Sequence, residues 1–350
     1  MTTTVPTIDI SGWTTGDPEA RALIAAAVDD AARNVGFLQI VGHGVPVAVV
    51  QGALDAMHDF FDRPVDEKER VAYPGLAVNR GYCASESEAL AYSLAEPTPP
   101  DLLESYVVGS THVDLDDPAV VVEIEDIFHP NIWPDAPAWF EPAVTAYFDA
   151  VNVVARRMTE IFAVALGLPE QWFAPSLTHS TETLRLNHFE RRPGDRDPLP
   201  GQQRLGAHTD YGIVTVLHAD PVPGLELMGA DGAWHGVVPD PGCFVVNLGD
   251  LLAQWTNDRW RSTLHRVVPP PVGGTGACRR RSLAFFLDGN HDAIIECLPT
   301  CTSVDDPPRY PPTTAGDHLK AKLLAGRTQT TAPAVGLTDT VGERRRAALG

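Results

Sequence analysis

His208-Thr-Asp210 places an imidazole and a carboxylate two positions apart. In an extended backbone such side chains project to the same face, so both can reach one ion. His265 opens the apolar run His-Arg-Val-Val and offers a second imidazole from a distant part of the chain. Two histidines and a carboxylate grip a divalent transition metal from one side and leave its other positions open, an arrangement suited to Fe(II) that must also bind other ligands. The His-x-Asp spacing alone is weak, because it occurs three times, at His112-Val-Asp114, His208-Thr-Asp210 and His218-Ala-Asp220. His112 runs into the acidic stretch Asp114 to Asp117, and His218 closes an apolar run just before Pro221. Only His208 stands between a glycine, Gly206, and a strand-like run beginning at Ile213. His43 lies between glycines as a turn residue does, and His235 and His291 have no carboxylate two positions on.

A second constellation is Arg279-Arg-Arg-Ser-Leu-Ala-Phe-Phe, a basic cluster running into an apolar strand. Strand alternation puts Arg280 and Ser282 on one face and Arg281 on the other. A guanidinium beside a hydroxyl suits a carboxylate, because its paired donors match the two oxygens.

The elements that must hold these residues read in two halves. Arg21 to Val35, Pro46 to Phe61 and Glu141 to Leu166 carry apolar residues at helical spacing, with Gly36 and Gly167 as stops and Pro46 and Pro142 in first turns. Val5 to Ile10 and Phe37 to Val41 read as strands within this helix-rich half. Beyond residue 180 come short runs of Val, Leu, Phe and Thr separated by Gly, Pro, Asp and Asn: 184–189, 213–219, 225–228, 234–238, 243–248, 265–268 and 282–287. That pattern predicts antiparallel strands folded as a sandwich or jelly roll. The expected organisation is a single catalytic domain over 1–325, made of a helix-rich part (1–175), a jelly-roll core (176–300) and a C-terminal helix region (301–325). A polar tail, 326–350, follows.

The chain has 350 residues, 44% of them hydrophobic, enough for a substantial core. A formal charge of −20 argues against a phosphate backbone as partner, since nucleic-acid binding relies on Lys and Arg displacing counterions. A small molecule is the expected ligand. No run is long and apolar enough to span a membrane, and the N-terminus lacks a signal-peptide pattern, so the expected location is the cytoplasm. The cysteines, Cys83, Cys243, Cys278, Cys297 and Cys301, form no C-x-x-C pair and read as reduced, mostly buried thiols.

Val5-Pro-Thr-Ile-Asp-Ile, Gly36-Phe-Leu-Gln-Ile-Val-Gly-His-Gly-Val, Arg80-Gly-Tyr, Asp101-Leu-Leu-Glu-Ser-Tyr, Arg185-Leu-Asn, His208-Thr-Asp-Tyr-Gly, Val246-Asn-Leu-Gly-Asp, His265-Arg-Val and Arg280-Arg-Ser occur in this order. Together they resemble the isopenicillin N synthase-like branch of the Fe(II)/2-oxoglutarate-dependent dioxygenases. The resemblance implies a mainly β fold with flanking helices around a double-stranded β-helix, a cupin-like jelly roll. It implies Fe(II) on His208, Asp210 and His265, and 2-oxoglutarate with its distal carboxylate on Arg280 and Ser282 and with Asn187 nearby. O2 and 2-oxoglutarate would be converted to succinate and CO2 as a small molecule, expected to be a specialised metabolite such as an antibiotic precursor, is hydroxylated or desaturated. The carboxylate at Asp210 disfavours halogenation, for which related enzymes lack a carboxylate at that ligand position so that chloride can bind. Phe189 stands where many relatives have Tyr, and a long loop, Pro269 to Cys278, precedes the Arg cluster, so Arg279 is an alternative to Arg280. An oxidase that works without 2-oxoglutarate, or a non-catalytic binding protein on the same fold, are the competing readings. Tyr82, Tyr106, His188, Tyr211 and Phe286 are the candidate substrate contacts.

Overall fold

The first helix, α1 (Pro18–Asn34), begins where Asp17 accepts the Glu19 N–H and Pro18 occupies the first turn. It ends on Gly36, whose φ of 70° and N–H bond to the Ala31 carbonyl close the last turn. A Cβ at Gly36 would lie 2.4 Å from the Arg261 carbonyl oxygen, so the turn into the next strand needs glycine. In this computed structural model the described residues are 5–75, 78–91, 98–114, 116–121, 128–192, 195–270 and 279–320. The tail 326–350, Cys278 and residues 271–278 of the expected loop lie outside them.

Strand β1 (Thr7–Asp9) precedes α1, and β2 (Phe37–Val41), α2 (Val47–Phe61), α3 (Val65–Glu69), β3 (Gly81–Cys83), β4 (Glu104–Gly109), α4 (Pro118–Val121) and α5 (Phe140–Ala165) follow it. The second half comprises β5 (Ser180–Glu190), β6 (Leu205–His208), β7 (Val214–Ala219), β8 (Leu225–Met228), β9 (Trp234–Gly236), β10 (Phe244–Leu248), α6 (Asp250–Trp255), β11 (His265–Val267) and β12 (Arg279–Asn290). A small pair, β13 (Ile294–Ile295) with β14 (Thr313–Thr314), leads into helical residues 315–320.

Among the described residues these strands form an eight-stranded sheet, β1-β2-β10-β7-β12-β5-β4-β3, and a four-stranded sheet, β6-β11-β8-β9. From β6 onward the chain alternates between the two: β6 small, β7 large, β8 and β9 small, β10 large, β11 small, β12 large. That winding is the expected double-stranded β-helix. The helix-rich half also contributes β1 to β4, which extend the larger sheet at both edges. The short strands β3 and β4 left no alternating pattern to read.

Parity decides which side of the larger sheet each residue serves. On β12 the odd positions Leu283, Phe285 and Leu287, with Leu184 and Leu186 of β5 and Val214 and Val216 of β7, pack against Val144, Phe148 and Val151 of α5 and Met57 and Phe60 of α2. The buried residues of α5 recur at three and four positions, as a helix lying along a sheet requires. The even positions of β12 face the smaller sheet. There Phe37, Phe189, Leu225, Leu227, Val245 and Val267 form a second apolar cluster at one end, and the rest of the space between the sheets is a cavity of about 350 Å³. No helix among the described residues is long and apolar enough to cross a membrane. Cys83, Cys243 and Cys297 are buried free thiols, and Cys301 is partly exposed.

Candidate active site

β6 ends on His208, and β11 starts on His265 directly opposite it in the antiparallel register. Cross-strand pairing thus joins two histidines far apart in sequence, with ring centroids 4.3 Å apart. Asp210 is not part of a strand with His208. It sits in the turn by which the chain leaves the smaller sheet for β7 in the larger one, and this turn, not strand alternation, brings its carboxylate to the two rings. Its Oδ1 lies 3.7 Å from His208 Nε2 and 3.8 Å from His265 Nε2. These distances are too long for hydrogen bonds and leave room for an ion among three donors that lie within 4.8 Å of one another.

Each donor is aimed by a second contact. His208 Nδ1 donates to the Gly206 carbonyl at 2.8 Å and His265 Nδ1 to the Thr263 carbonyl at 3.0 Å. A carbonyl can only accept, so both rings carry their proton on Nδ1 and present a lone pair on Nε2. Burial, then the adjacent His265, lowers the His208 pKa and keeps its ring neutral. Asp210 Oδ2 accepts from Thr215 Oγ1 and Asn247 Nδ2, each at 2.5 Å, which turns Oδ1 toward the histidines. The turn itself is clamped by α6: the Asp250 and Leu251 N–H groups bond the Asp210 and Tyr211 carbonyls, and Asp250 Oδ2 accepts from Thr209. Thr215, Asn247 and Asp250 had no assigned role in the sequence reading. For Asn247 and Asp250 the signal was the run Val246-Asn-Leu-Gly-Asp, where Gly249 is needed because a Cβ would lie 2.1 Å from the Gly212 carbonyl oxygen; Thr215 had none. Two imidazole nitrogens and a carboxylate oxygen are a donor set that fits Fe(II).

Arg280 lies deeper on the same face. It is 1% exposed, with its guanidinium 5.4 Å from the Phe189 ring. It makes no ion pair among the described residues, and its Nε is buried without a partner. Burial, with Arg204 nearby, pushes its pKa down to about 10, still well above neutral pH. Ser282 is next on that face and accepts from Asn187 Nδ2 at 3.4 Å, while Asn187 Oδ1 has no partner among the described residues. Arg279 points the other way, to Glu190 and Asp62, and Arg281 is held by Asp220. The alternative placing of Arg279 in the cavity therefore fails on strand parity. A buried cation beside a hydroxyl and an amide is chemistry that fits a carboxylate.

The cavity is also lined by Tyr211 and Phe286, as expected for substrate contacts, and by Thr181, Thr183, Arg185 and Asp288. Tyr82, Tyr106 and His188 are corrected. The pairs Glu104↔His188 and Tyr82↔Tyr106 put all three on the helix-facing side of the sheet, where Tyr82 and His188 bond Glu104 and Tyr106 bonds the Ile132 carbonyl. A one-residue step along a strand reverses the face to which a side chain points.

Residues 5–136 match the family model described as non-haem dioxygenase in morphine synthesis N-terminal, and residues 180–289 match that of the 2OG-Fe(II) oxygenase superfamily. A 2-oxoglutarate-Fe(II) type oxidoreductase of Emericella nidulans is 33% identical over 91% of this chain and 89% of its own. Validamycin A dioxygenase of Streptomyces hygroscopicus subsp. limoneus is 31% identical over 93% of this chain and 87% of its own. The crystal structure of Neurospora crassa T7H with alpha-KG and thymine superposes with a TM-score of 0.78 at 28% identity, covering 92% of this chain and 96% of that one. Neither an oxidase independent of 2-oxoglutarate nor a silent binding protein is favoured by these likenesses. The chain belongs to the Fe(II)/2-oxoglutarate-dependent dioxygenases, and is an enzyme that uses Fe(II), 2-oxoglutarate and O2 to oxidise a small molecule.

Proposed function

We propose that Nε2 of His208, Nε2 of His265 and a carboxylate oxygen of Asp210 hold the iron, and that Arg280 and Ser282 receive the distal carboxylate of 2-oxoglutarate, with Asn187 alongside. The observation that carries the assignment is a buried guanidinium with no ion pair among the described residues, on the cavity wall that also holds the three converging donors. Bound iron supplies the oxidising power when O2 reacts with 2-oxoglutarate, which leaves as succinate and CO2. The protein's own part is positional. The backbone carbonyls of Gly206 and Thr263 fix the histidine tautomers, Thr215 and Asn247 fix the carboxylate, and Phe37, Leu217, Leu225 and Val267 keep water from the co-substrate end. Phe189 substitutes a ring face under Arg280 for the expected tyrosine hydroxyl, leaving Arg280 and Ser282 to carry the carboxylate.

The substrate is a small, specialised metabolite, hydroxylated or desaturated between Tyr211 and Phe286. A volume of about 350 Å³ accommodates one small molecule beside the co-substrate. Residues 1–325 act as one catalytic unit, because strands from both halves share one sheet. The charge of −20 supports a partner set without nucleic acid or membrane, and buried free thiols support work in the reducing cytoplasm.

Anaerobic addition of Fe(II) and 2-oxoglutarate should give a weak visible charge-transfer band, and His208→Ala or Asp210→Ala should remove it together with succinate formation. Retained iron-dependent succinate formation in both variants overturns the ligand assignment.

A further inference from the structure

The cavity face of β12 runs from Arg280 through Ser282, Ala284 and Phe286 to Asp288. The first two serve the co-substrate end, and the last is used by nothing described so far. Asp288 is 6% exposed, and among the described residues its carboxylate makes no hydrogen bond or ion pair. The charges it feels are acidic ones, Asp210 and Glu182; burial first, and these two after it, push its pKa up to about 7. Lys320 and Arg185 also line the cavity but are not among the groups acting on it, and Arg185 is committed to Glu88 and Ser105.

The backbone is shaped to present this side chain. Between the pairs Leu287↔Glu182 and Gly289↔Thr181 the register shifts, so Asp288 is the extra residue of a bulge. Bulges re-aim side chains and gather beside active sites. Gly289, at φ 85°, follows it in a left-handed conformation that glycine adopts without strain. On the facing side a Cβ at Gly212 would lie 1.8 Å from Asp288 Oδ1, so glycine is what admits the carboxylate against the turn carrying Asp210 and Tyr211. A buried carboxyl without a partner is unfavourable for the fold. A bulge and a glycine that accommodate one are intelligible when a ligand completes the pair.

We infer that Asp288 is a specificity-determining residue that ion-pairs with a cationic nitrogen of the substrate, an ammonium or guanidinium, so that this enzyme oxidises a basic small molecule. The inference rests on the cavity being the substrate site, as proposed above. An uncharged substrate would leave the carboxylate buried and unpaired, whereas a cation would convert that cost into selectivity.

Saturation-transfer NMR of the purified protein can be run with two matched pairs, butylguanidinium against pentanamide and cyclohexylammonium against cyclohexanol, at about pH 8 so that Asp288 is ionised. At least one cation should bind the wild type more tightly than its neutral counterpart. Asp288→Asn should weaken that cation by at least about ten-fold while leaving the neutral compounds unchanged, as for a buried charge pair that loses one partner. Equal binding of charged and neutral members, no binding by either cation, or undiminished cation binding in Asp288→Asn overturns the inference. Thermal unfolding separates recognition from structure. The variant should unfold no lower than the wild type, and a midpoint lower by several degrees, or failure to fold, marks a structural carboxylate and overturns it too. The charge-transfer band with 2-oxoglutarate is recorded on the wild type alongside. If the band is absent the proposed function fails; if it is present and cations show no preference, the assignment of Asp288 alone fails.

Discussion

The two faces of the larger sheet each carry a buried polar cluster, and β5 contributes to both, His188 to one face and Asn187 to the other. On the helix-facing side Glu104 accepts from Lys68 Nζ at 2.5 Å, from Tyr82 Oη at 2.8 Å and from His188 Nδ1 at 2.8 Å. Lys68 also donates to the Phe61 carbonyl, and the His188 ring stacks 4.9 Å from that of Phe61. Every charge there meets its partner within the chain. On the cavity side Arg280 and Asp288 form no ion pair among the described residues, Asn187 Oδ1 is unpartnered, and two imidazole lone pairs and a carboxylate oxygen converge on one point. Charged groups are buried on both sides, Lys68 on one and Arg280 on the other, so burial of charge does not mark a site. Unused bonding capacity does.

This difference predicts opposite responses to removing a charge. Glu104→Ala removes the carboxylate that pairs with Lys68 and leaves that buried ammonium without it. The expected loss is about 3–5 kcal/mol of unfolding free energy, read from urea denaturation, with unchanged 2-oxoglutarate affinity in whatever fraction remains folded. A loss below about 1 kcal/mol, the range of exposed pairs, would remove the contrast. Arg280→Leu should do the reverse. It deletes a buried charge that has no counter-ion among the described residues, so the denaturation midpoint should not fall. The affinity for 2-oxoglutarate should drop by about 2–5 kcal/mol, roughly thirty-fold or more, as the Km for 2-oxoglutarate reports. A destabilised Arg280→Leu with normal Km would make Arg280 structural.

The smallest expected effect is in the acid limb. Burial alone would raise the Glu104 pKa, but hydrogen bonds from His188 and Lys68 outweigh it and hold the carboxyl below its usual range. A lowered folded-state pKa contributes stability that is present above the unfolded value of about 4.3 and is lost as pH falls through the folded value. Glu104→Gln should therefore flatten the decline of wild-type stability below about pH 4. Parallel pH profiles of the two proteins would place the acid sensitivity elsewhere.

Much of this was legible before folding. Three long helices and most strands of the second half came from apolar spacing, and α1 extends past its expected start because Asp17 and Pro18 cap it earlier. The metal-site candidates and Arg280 were also legible, since few residue types offer those donors and one extended strand fixes which of Arg279, Arg280 and Arg281 share a face. The helpers were not. Asn247, Thr215 and Asp250 act on Asp210 and Thr209 from other elements, and nothing in a local pattern states which turn a side chain will meet. Tyr82, Tyr106 and His188 were misplaced because the register of β3 to β5 sets their face, and β3 and β4 are too short to announce it.

By itself the sequence determined the chemistry on offer: two histidines and an aspartate for a divalent ion, an arginine and a serine for a carboxylate, and an alternating second half that must close into a jelly roll. These follow from side-chain chemistry and the period of the backbone. Only the tertiary structure decided that His208 and His265 are cross-strand neighbours, that Asp210 reaches them from a turn, and that Asp288 stands on a bulge facing the same cavity. Pairing between distant strands, together with a single shift in register, determines which side chains share a space, and both depend on contacts that no local stretch of sequence contains.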